Sequence, residues 1–312
     1  MESTEKHNKL ISVIMLTHNR ENYVERMIKC ILDQTMKDYE FIIVDNGSSD
    51  RSGAIADAYA AKDDRIKVIH RADGTIGAGR NTGLDAAQGK YIAFVDDDDT
   101  CTPDFLEFLY NLIVETSADV AICGASWSGY VRDERLLMNG KEAVEMLLWR
   151  KNYNAAFPTK LFRRELFADN RFPKDGKYED IYLMPKMLAE ADKVIYHGLA
   201  KYHFEKHDNN NSAWALNHKL LDLPTLKEYL EVYDQRTEWL VNKFPTDKDK
   251  WQYFNFSFMV SMVEKVTRLE LKDCYDLRDH MKKVLRENYE EFYNCPYILD
   301  FEKDWMDKYV VE

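Results

Sequence analysis

The chain has 312 residues, of which 45% are hydrophobic and 31% charged, and its formal net charge at pH 7 is -12. The length predicts one large domain with an appendage, and the acidic balance argues against nucleic acid as the main partner, because a phosphate backbone requires a basic protein face. The five cysteines have no metal-ligand spacing, which argues against structural zinc and suits a reducing compartment. No apolar run reaches the ~18 residues of a membrane span, and the polar N-terminus does not predict a signal peptide. We therefore expect a cytoplasmic protein, with peripheral contact at the inner face of the membrane and homo-oligomerisation left open.

Short apolar runs alternate with amphipathic segments over the first half of the chain. The runs that predict buried strands are residues 11–16, 41–44, 66–70, 91–95 and 120–123. The segments that predict helices, most of them from their apolar spacing, are residues 24–32, 53–61, 74–87, 105–114 and 142–149. Strands that alternate with helices in this order predict an α/β fold with a mostly parallel sheet flanked by helices.

The alternation fades after residue 150. A helix is predicted at residues 181–191 and a short strand at 194–196, and a polar loop follows at 202–212. Residues 216–312 are predicted to be helical throughout. We therefore predict a catalytic domain at residues 1–215 and a helical appendage at residues 216–312.

Four consecutive carboxylates, Asp96 to Asp99, directly follow the apolar run at residues 91–95. The carboxyl ends of strands are where open α/β sheets bind ligands. Carboxylates at this spacing raise one another's pKa values unless a positive charge lies among them, and a hard divalent cation that bridges to phosphate oxygens fits best. We therefore expect Asp98 to hold Mn²⁺ or Mg²⁺. The alternative is a solvated acidic turn that caps the following helix.

Polar side chains at other strand ends predict a nucleotide site at the same edge. Asp45 ends the second predicted strand as Asp96 ends the fourth, and Thr17 and Asn19 follow the first. Asp45 can accept a hydrogen bond from a base N–H, Thr17 and Asn19 can contact the base or ribose, and Asp96 can bind the ribose hydroxyls. Arg80 is expected in the first turn of its helix, where it binds an anion, pairs with the acidic run, or does both.

Any transfer of a group to a hydroxyl would also require a general base. Asp180 lies at the start of a predicted helix and is the best candidate outside the nucleotide pocket, although a helix-capping role accounts for its position equally well. His203 and His207 lie in the polar loop and could contact a diphosphate or a metal, and of the two we retain His207 for the donor site.

Three other functions are compatible with parts of the pattern. Glycines at positions 77, 79 and 83 resemble a dinucleotide-binding fingerprint, but the third glycine is one residue late and the motif follows the third strand rather than the first. An aspartyl phosphatase of the haloacid-dehalogenase type would use Asp96 as a nucleophile and Asp98 beside it. A protein that binds nucleotide sugars without catalysis is the third possibility.

Several motifs together resemble family 2 glycosyltransferases, strongly over about residues 10–125 and more loosely to residue 212. The matching segments, in the family's order, are residues 12–20, 31–35, 43–50, 79–85 and 91–99, followed more loosely by 160–164 and the Glu179-Asp180 pair. The chain departs from the usual motifs at Leu16, His18 and Asn46.

The resemblance implies a GT-A fold and a metal-dependent enzyme that inverts the anomeric centre. It places a nucleotide-sugar donor, UDP-linked by expectation, and a glycan or lipid-linked glycan acceptor at the site. The residues that it assigns are Thr17, Asn19, Asp45 and Arg80 for the nucleoside, Asp96 for the ribose, Asp98 for manganese or magnesium, and Asp180 as the catalytic base.

Overall fold

The computed structural model describes residues 9–72, 74–126, 133–176, 178–205 and 217–311. The chain divides into two compact units, residues 1–205 and residues 206–312. The domain boundary predicted at residue 216 falls outside the described ranges and stays a prediction.

The described strands all lie in the first unit. They are Lys9–Thr17 (β1), Tyr39–Asp45 (β2), Ile66–His70 (β3), Gly89–Asp96 (β4), Thr100–Cys101 (β5), Val120–Ala125 (β6), Arg135–Met138 (β7), Lys160–Arg163 (β8) and Val194–His203 (β9). The helices of this unit are Val24–Leu32 (α1), Ser52–Ala60 (α2), Ile76–Ala86 (α3), Phe105–Thr116 (α4), Gly140–Leu148 (α5) and Glu179–Glu190 (α6). The α/β fold is thus confirmed.

The strands form one sheet in the order β3-β2-β1-β4-β8-β6-β9-β5, with β7 paired to β9. The first four strands are parallel to one another, as predicted. The second half of the sheet is mixed, because β8 runs antiparallel between β4 and β6 and β9 pairs antiparallel with β5 and β7. The prediction of a mostly parallel sheet is therefore confirmed for β1 to β4 and for the pairing of β6 with β9, and the short strands β5, β7 and β8 add antiparallel pairs. The strands that it missed are four residues or shorter, too short to show a period-2 pattern.

The two faces of β4 show how the sheet is covered. Tyr91, Ala93 and Val95 belong to a buried apolar cluster that also contains residues from α1 and α4. Phe94 points to the opposite face, as the alternation of side chains along a strand requires. There its ring lies 5.4 Å from that of Phe157, in a group of phenylalanines. These rings also surround the guanidinium of Arg80.

The second unit is helical. Its described helices are Leu223–Lys243 (α7), Lys248–Arg268 (α8), Tyr275–Glu287 (α9), Tyr289–Tyr293 (α10) and Asp300–Trp305 (α11), with a π-helical turn at Met306–Val311. The side chain of Asp222 accepts a hydrogen bond from the backbone N–H of Thr225 and so caps α7. In α8 the buried residues lie all around the helix, among them Trp251 and Val260, so α8 forms the centre of this unit.

In the described ranges, no helix combines the length and the apolar composition that crossing a bilayer requires. All five cysteines are free thiols.

Candidate functional site

The carboxyl edge of the parallel strands brings the predicted polar residues together. Thr17 ends β1, Asp45 ends β2 and Asp96 ends β4. In the register of the sheet Thr17 pairs with Asp45, and Leu16 pairs with Asp96. β1 lies between β2 and β4 in the sheet, so Asp45 and Asp96 are not on neighbouring strands. The two acids therefore flank the end of β1 rather than adjoin each other, which leaves a span between them at the edge of the sheet.

The Asp45 carboxylate is held by two hydrogen bonds. Its Oδ1 accepts the backbone N–H of Ser48 at 3.0 Å, and its Oδ2 lies 2.9 Å from Nδ1 of His70. Burial raises the pKa of Asp45, but these hydrogen bonds outweigh burial and leave the pKa below its ordinary value. Asp45 is therefore an ionised acceptor at neutral pH. His70 was not predicted as a site residue, although it ends the third predicted strand in the same way as Asp45 ends the second.

Asn19 connects the loops that follow β1 and β2. Its backbone lies in the left-handed region at φ 53°, which asparagine tolerates better than most residues. Its Oδ1 accepts the backbone N–H of Ser49 at 2.8 Å, and its own N–H donates to the hydroxyl of Ser48 at 3.1 Å. Asn19 thus shapes the loop that carries the Asp45 contact, in addition to any contact with a nucleoside.

The acidic run contains two buried and two more accessible carboxylates. Asp97 and Asp99 are buried, whereas the Asp96 side chain is 40% exposed. Burial, followed by the neighbouring charges, raises the pKa of Asp99 to about 8, and burial raises that of Asp97 to about 8 as well. The spacing of the four carboxylates predicted raised pKa values from mutual repulsion, but burial is the larger cause of the raised pKa values of Asp97 and Asp99. Oδ2 of Asp98 lies 3.9 Å from Nε of Arg20. Arg20 was not predicted as a site residue.

Arg80 joins Asp96 to the start of α6. It lies in the second turn of α3, not in the first as predicted, because α3 begins only at Ile76. Its guanidinium donates to Glu179 Oε1 at 2.5 Å and to Asp96 Oδ1 at 3.3 Å. Three aromatic rings surround it at 5.4 to 5.8 Å, those of Phe94, Phe157 and Phe172. Arg80 thus pairs with the acidic run, one of the two roles considered for it.

Asp180 lies beside this network, at the second residue of α6. The predicted helix start at Glu179 and Asp180 is confirmed. Burial raises the pKa of Asp180, and the nearby guanidinium of Arg80 opposes that rise. The side chain is half-buried, and its Oδ1 accepts the backbone N–H of Ile181 at 2.8 Å. The carboxylate thus caps its own helix, as the alternative to catalysis predicted, and it remains partly accessible.

The backbone at Asp96 is also held by a buried tyrosine. Tyr202 is 2% exposed, and its hydroxyl accepts the Asp96 N–H at 3.0 Å. The polar residues from 202 onward predict a loop at Tyr202, whereas Tyr202 lies in β9. Of the two histidines predicted in the loop, His203 is the last residue of β9, and His207 lies outside the described residues.

The chemistry of the acidic run fits a divalent cation held jointly with a ligand. Oδ2 of Asp97 and Oδ2 of Asp99 are buried acceptors without a hydrogen-bond partner in the part of the chain that the structure describes. In that same part, no group of three or more acidic, histidine or cysteine side chains stands ready to hold a metal. Mg²⁺ is usually bound by one or two carboxylates together with substrate phosphates rather than by a protein cage. Asp98, which is partly accessible between Asp97 and Asp99, matches that type of site.

Comparison with known proteins identifies the family. The family model described as glycosyl transferase family 2 matches residues 12–171. The chain is 32% identical over 249 residues to the uncharacterized glycosyltransferase EpsJ of Bacillus subtilis, covering 71% of this chain and 67% of EpsJ. It is 37% identical over 214 residues to the putative teichuronic acid biosynthesis glycosyltransferase TuaG of the same organism, covering 66% of this chain and 83% of TuaG. Glycosyltransferase GlyA of Streptococcus pneumoniae is 32% identical over 262 residues, and the chain spans 37% of its length.

Solved structures show the same fold. The chain resembles TarS of S. aureus in complex with UDP-GlcNAc with a TM-score of 0.59 and 18% identity, over 91% of this chain and 89% of that one. It also resembles the mannosyltransferase PcManGT of Pyrobaculum calidifontis, bound to GDP-Man and Mn²⁺, with a TM-score of 0.50 and 14% identity, over 98% and 86%.

These matches favour neither the phosphatase nor the non-catalytic alternative. The sheet edge, the family match and the fold lead to one conclusion: the chain belongs to glycosyl transferase family 2, and it is a GT-A glycosyltransferase that transfers a sugar from a nucleotide-sugar donor.

Proposed function

We propose that the enzyme uses a UDP-sugar with a divalent cation and transfers the sugar, with inversion, to a hydroxyl of a glycan acceptor. The observation that carries this proposal is the convergence of Thr17, Asp45 and Asp96 at one sheet edge, with Asp180 tied to Asp96 through the Arg80 and Glu179 pair. A donor in the span between Asp45 and Asp96 would place its base at the first acid and its ribose at the second.

The state of Asp45 supports the choice of base. An ionised carboxylate can only accept hydrogen bonds, so it favours a base that offers an imino N–H. Uracil and guanine have this group, whereas cytosine and adenine present a lone pair at the corresponding ring position. TarS has been solved with UDP-GlcNAc and PcManGT with GDP-Man. Because the TarS likeness is the stronger one, we propose uracil, with Thr17 and Asn19 at the same nucleoside.

The acidic run is proposed to bind the phosphate side of the donor. Asp98 would hold Mn²⁺ or Mg²⁺, and Asp96 would bind the ribose hydroxyls while Arg80 orients it. The bound cation would stabilise the charge that develops on the departing diphosphate. His207 is proposed to contact the diphosphate from the polar loop. Arg80 would act on the donor through Asp96, since its guanidinium already contacts two carboxylates.

Asp180 is proposed as the general base. Its raised pKa makes the carboxylate a stronger base than an exposed aspartate, and the nearby charge of Arg80 favours its ionised form. Asp180 takes the proton of the acceptor hydroxyl as that oxygen forms its bond to the anomeric carbon. The bond from this carbon to the donor's phosphate oxygen breaks on the opposite side, which inverts the configuration.

The acceptor is proposed to be a glycan or lipid-linked glycan of a cell-surface polysaccharide. TuaG is named for teichuronic acid biosynthesis, and TarS is a structural neighbour. We further propose that the enzyme works in the cytoplasm at the inner face of the membrane, where such acceptors are extended. Homo-oligomerisation stays a prediction.

A donor panel with two variants tests these assignments. UDP-, GDP- and CDP-sugars with Mn²⁺ or Mg²⁺ are assayed for thermal shift and slow donor hydrolysis, and UDP-sugars are expected to give the largest response. Asp98→Asn should abolish cation-dependent donor binding. Asp180→Asn should retain donor binding and lose about 10²- to 10⁴-fold in acceptor-dependent turnover. The exposed Asp192→Asn serves as the matched control. Full turnover in Asp180→Asn would remove it as the base, and phosphate release from a phosphomonoester would favour the phosphatase.

A further inference from the structure

His70 lies between two carboxylates at the end of β3. Its Nδ1 is 2.9 Å from Asp45 Oδ2, and its Nε2 is 3.0 Å from Asp57 Oδ1. Asp45 comes from the neighbouring strand β2, whose register pairs it directly with His70, and Asp57 comes from α2. The imidazole therefore connects a buried acid of the proposed base pocket to an acid on the protein surface.

Both ring nitrogens of His70 face an acceptor. A neutral imidazole has one N–H, so it can donate to only one of the two carboxylates and presents a lone pair to the other. Only the imidazolium donates to both. In accordance with this geometry, the hydrogen bonds to Asp45 and then to Asp57 raise the pKa of His70 above its ordinary value. The two contacts thus favour a positive charge beside Asp45.

The space around this pair leaves the Asp45 carboxylate little freedom. A Cβ atom at Gly53 would lie 2.4 Å from Asp45 Oδ2 and 3.1 Å from Cε1 of His70. Gly53 is therefore needed for α2 to approach the pair as closely as it does. On the other side, the backbone N–H of Ser48 occupies Asp45 Oδ1. The carboxylate is held from both sides, with lone pairs left for a further donor.

We propose that His70 is a positioning residue for the donor nucleotide: as an imidazolium held by Asp57, it fixes the Asp45 carboxylate in the orientation that binds the base. This inference rests on the proposed function, in which Asp45 accepts the imino N–H of the base. Loss of the His70 proton leaves a lone pair facing a carboxylate. Asp45 then moves away from its binding orientation, and nucleotide affinity falls.

The test measures the Kd of UDP with Mg²⁺ by calorimetry from about pH 7 to about pH 9, above the phosphate pKa of ~6. The wild type is expected to bind more weakly as the pH rises, by about tenfold, the effect of losing one ordering hydrogen bond. His18 contacts the backbone of Asn46 nearby and is unchanged in all variants.

Three variants separate positioning from a merely structural role. His70→Ala should bind UDP about tenfold more weakly at pH 7 and show a flatter pH profile. His70→Asn keeps an N–H close to the position of Nδ1, so it should restore affinity without the His70 pH dependence. Asp57→Asn should bind UDP as tightly as the wild type at the lowest pH of the range. As the pH rises it should lose affinity at a lower pH than the wild type does, because His70 has lost one of its two carboxylate partners.

The outcomes distinguish this inference from the proposed function. Absence of UDP binding by the wild type at every pH would overturn both. Normal UDP binding with an unchanged pH profile in His70→Asn and Asp57→Asn would overturn the inference alone, and these two variants decide it even if His70→Ala does not fold. A shift of the Asp57→Asn profile toward lower pH supports it.

Discussion

Lys160 offers a direct test of how burial controls charge in this fold. The side chain lies in β8 and is fully buried. Its Nζ donates to the carbonyl oxygens of Ala156 at 2.6 Å and Asn154 at 3.0 Å, and to the hydroxyl of Thr159 at 3.3 Å. Thr159 has a φ of 79°, a left-handed conformation that is rare for a β-branched residue and costs about 1–3 kcal/mol. The structure thus keeps a strained backbone around a buried amine.

Burial lowers the pKa of Lys160 from 10.5 to about 7. The pKa of this lysine is lower in the folded state than in the unfolded state. Its charge therefore destabilises the folded state at any pH at which the amine is protonated in both states. This cost is fully present below about pH 7, and it disappears as the pH rises to the unfolded value of ~10.4. Each pH unit in this window corresponds to ~1.4 kcal/mol, so the whole change is at most about 5 kcal/mol. This figure is an upper bound, because the three acceptors satisfy the three N–H groups of the ammonium and so reduce the cost of burying its charge.

The perturbation is Lys160→Met, which removes the charge and keeps the length of the side chain. We expect the free energy of unfolding of the wild type, minus that of the variant, to increase by about 1 kcal/mol per pH unit between about pH 7 and about pH 10. Urea unfolding of both proteins at a series of pH values measures this difference, and titrations common to both cancel. The exposed Lys193→Met is the control and should show no such slope. A flat difference for Lys160→Met would contradict the lowered pKa, because Lys160 would then keep its ordinary pKa.

Two further predictions concern the site. Gly53→Ala should displace the Asp45 carboxylate and weaken UDP binding by about tenfold or more, whereas Gly83→Ala, whose Cβ would meet an isoleucine methyl group at 2.4 Å, should leave UDP binding unchanged. Each should lower stability by about 1–3 kcal/mol in urea unfolding, and equal UDP affinities would contradict the role of Gly53. Glu179→Gln removes one of the two carboxylates that neutralise the buried Arg80 and should cost about 1–3 kcal/mol; unchanged stability would mean that the other carboxylate suffices.

The sequence predicted the first half of the sheet because its pattern is local. Short apolar runs rich in β-branched and aromatic residues, such as residues 41–44 and 91–95, predict buried strands, and the helices between them make the connections parallel. Acids directly after such runs, Asp45 and Asp96, must then lie at the carboxyl edge. For these residues, position along the chain already implies position in the fold.

The second half of the sheet followed no such pattern. β8 has four residues, and its antiparallel place between β4 and β6 depends on contacts with strands that are distant in the chain. The polar segment that contains Tyr202 was predicted to be a loop, because nothing in its sequence shows that β6 pairs with it. Non-local pairing, rather than propensity, formed these strands.

The type of site can be predicted from the sequence: acids lie at strand ends, and the ordered motifs indicate sugar-nucleotide chemistry and the family. The partners of those acids depend on the folded structure. It placed His70 against Asp45, and it placed Arg80 within three aromatic rings between Asp96 and Glu179. The physical reason is that the charge and orientation of a carboxylate depend on burial and on neighbours within hydrogen-bond distance, and the fold brings those neighbours from segments far apart in the sequence.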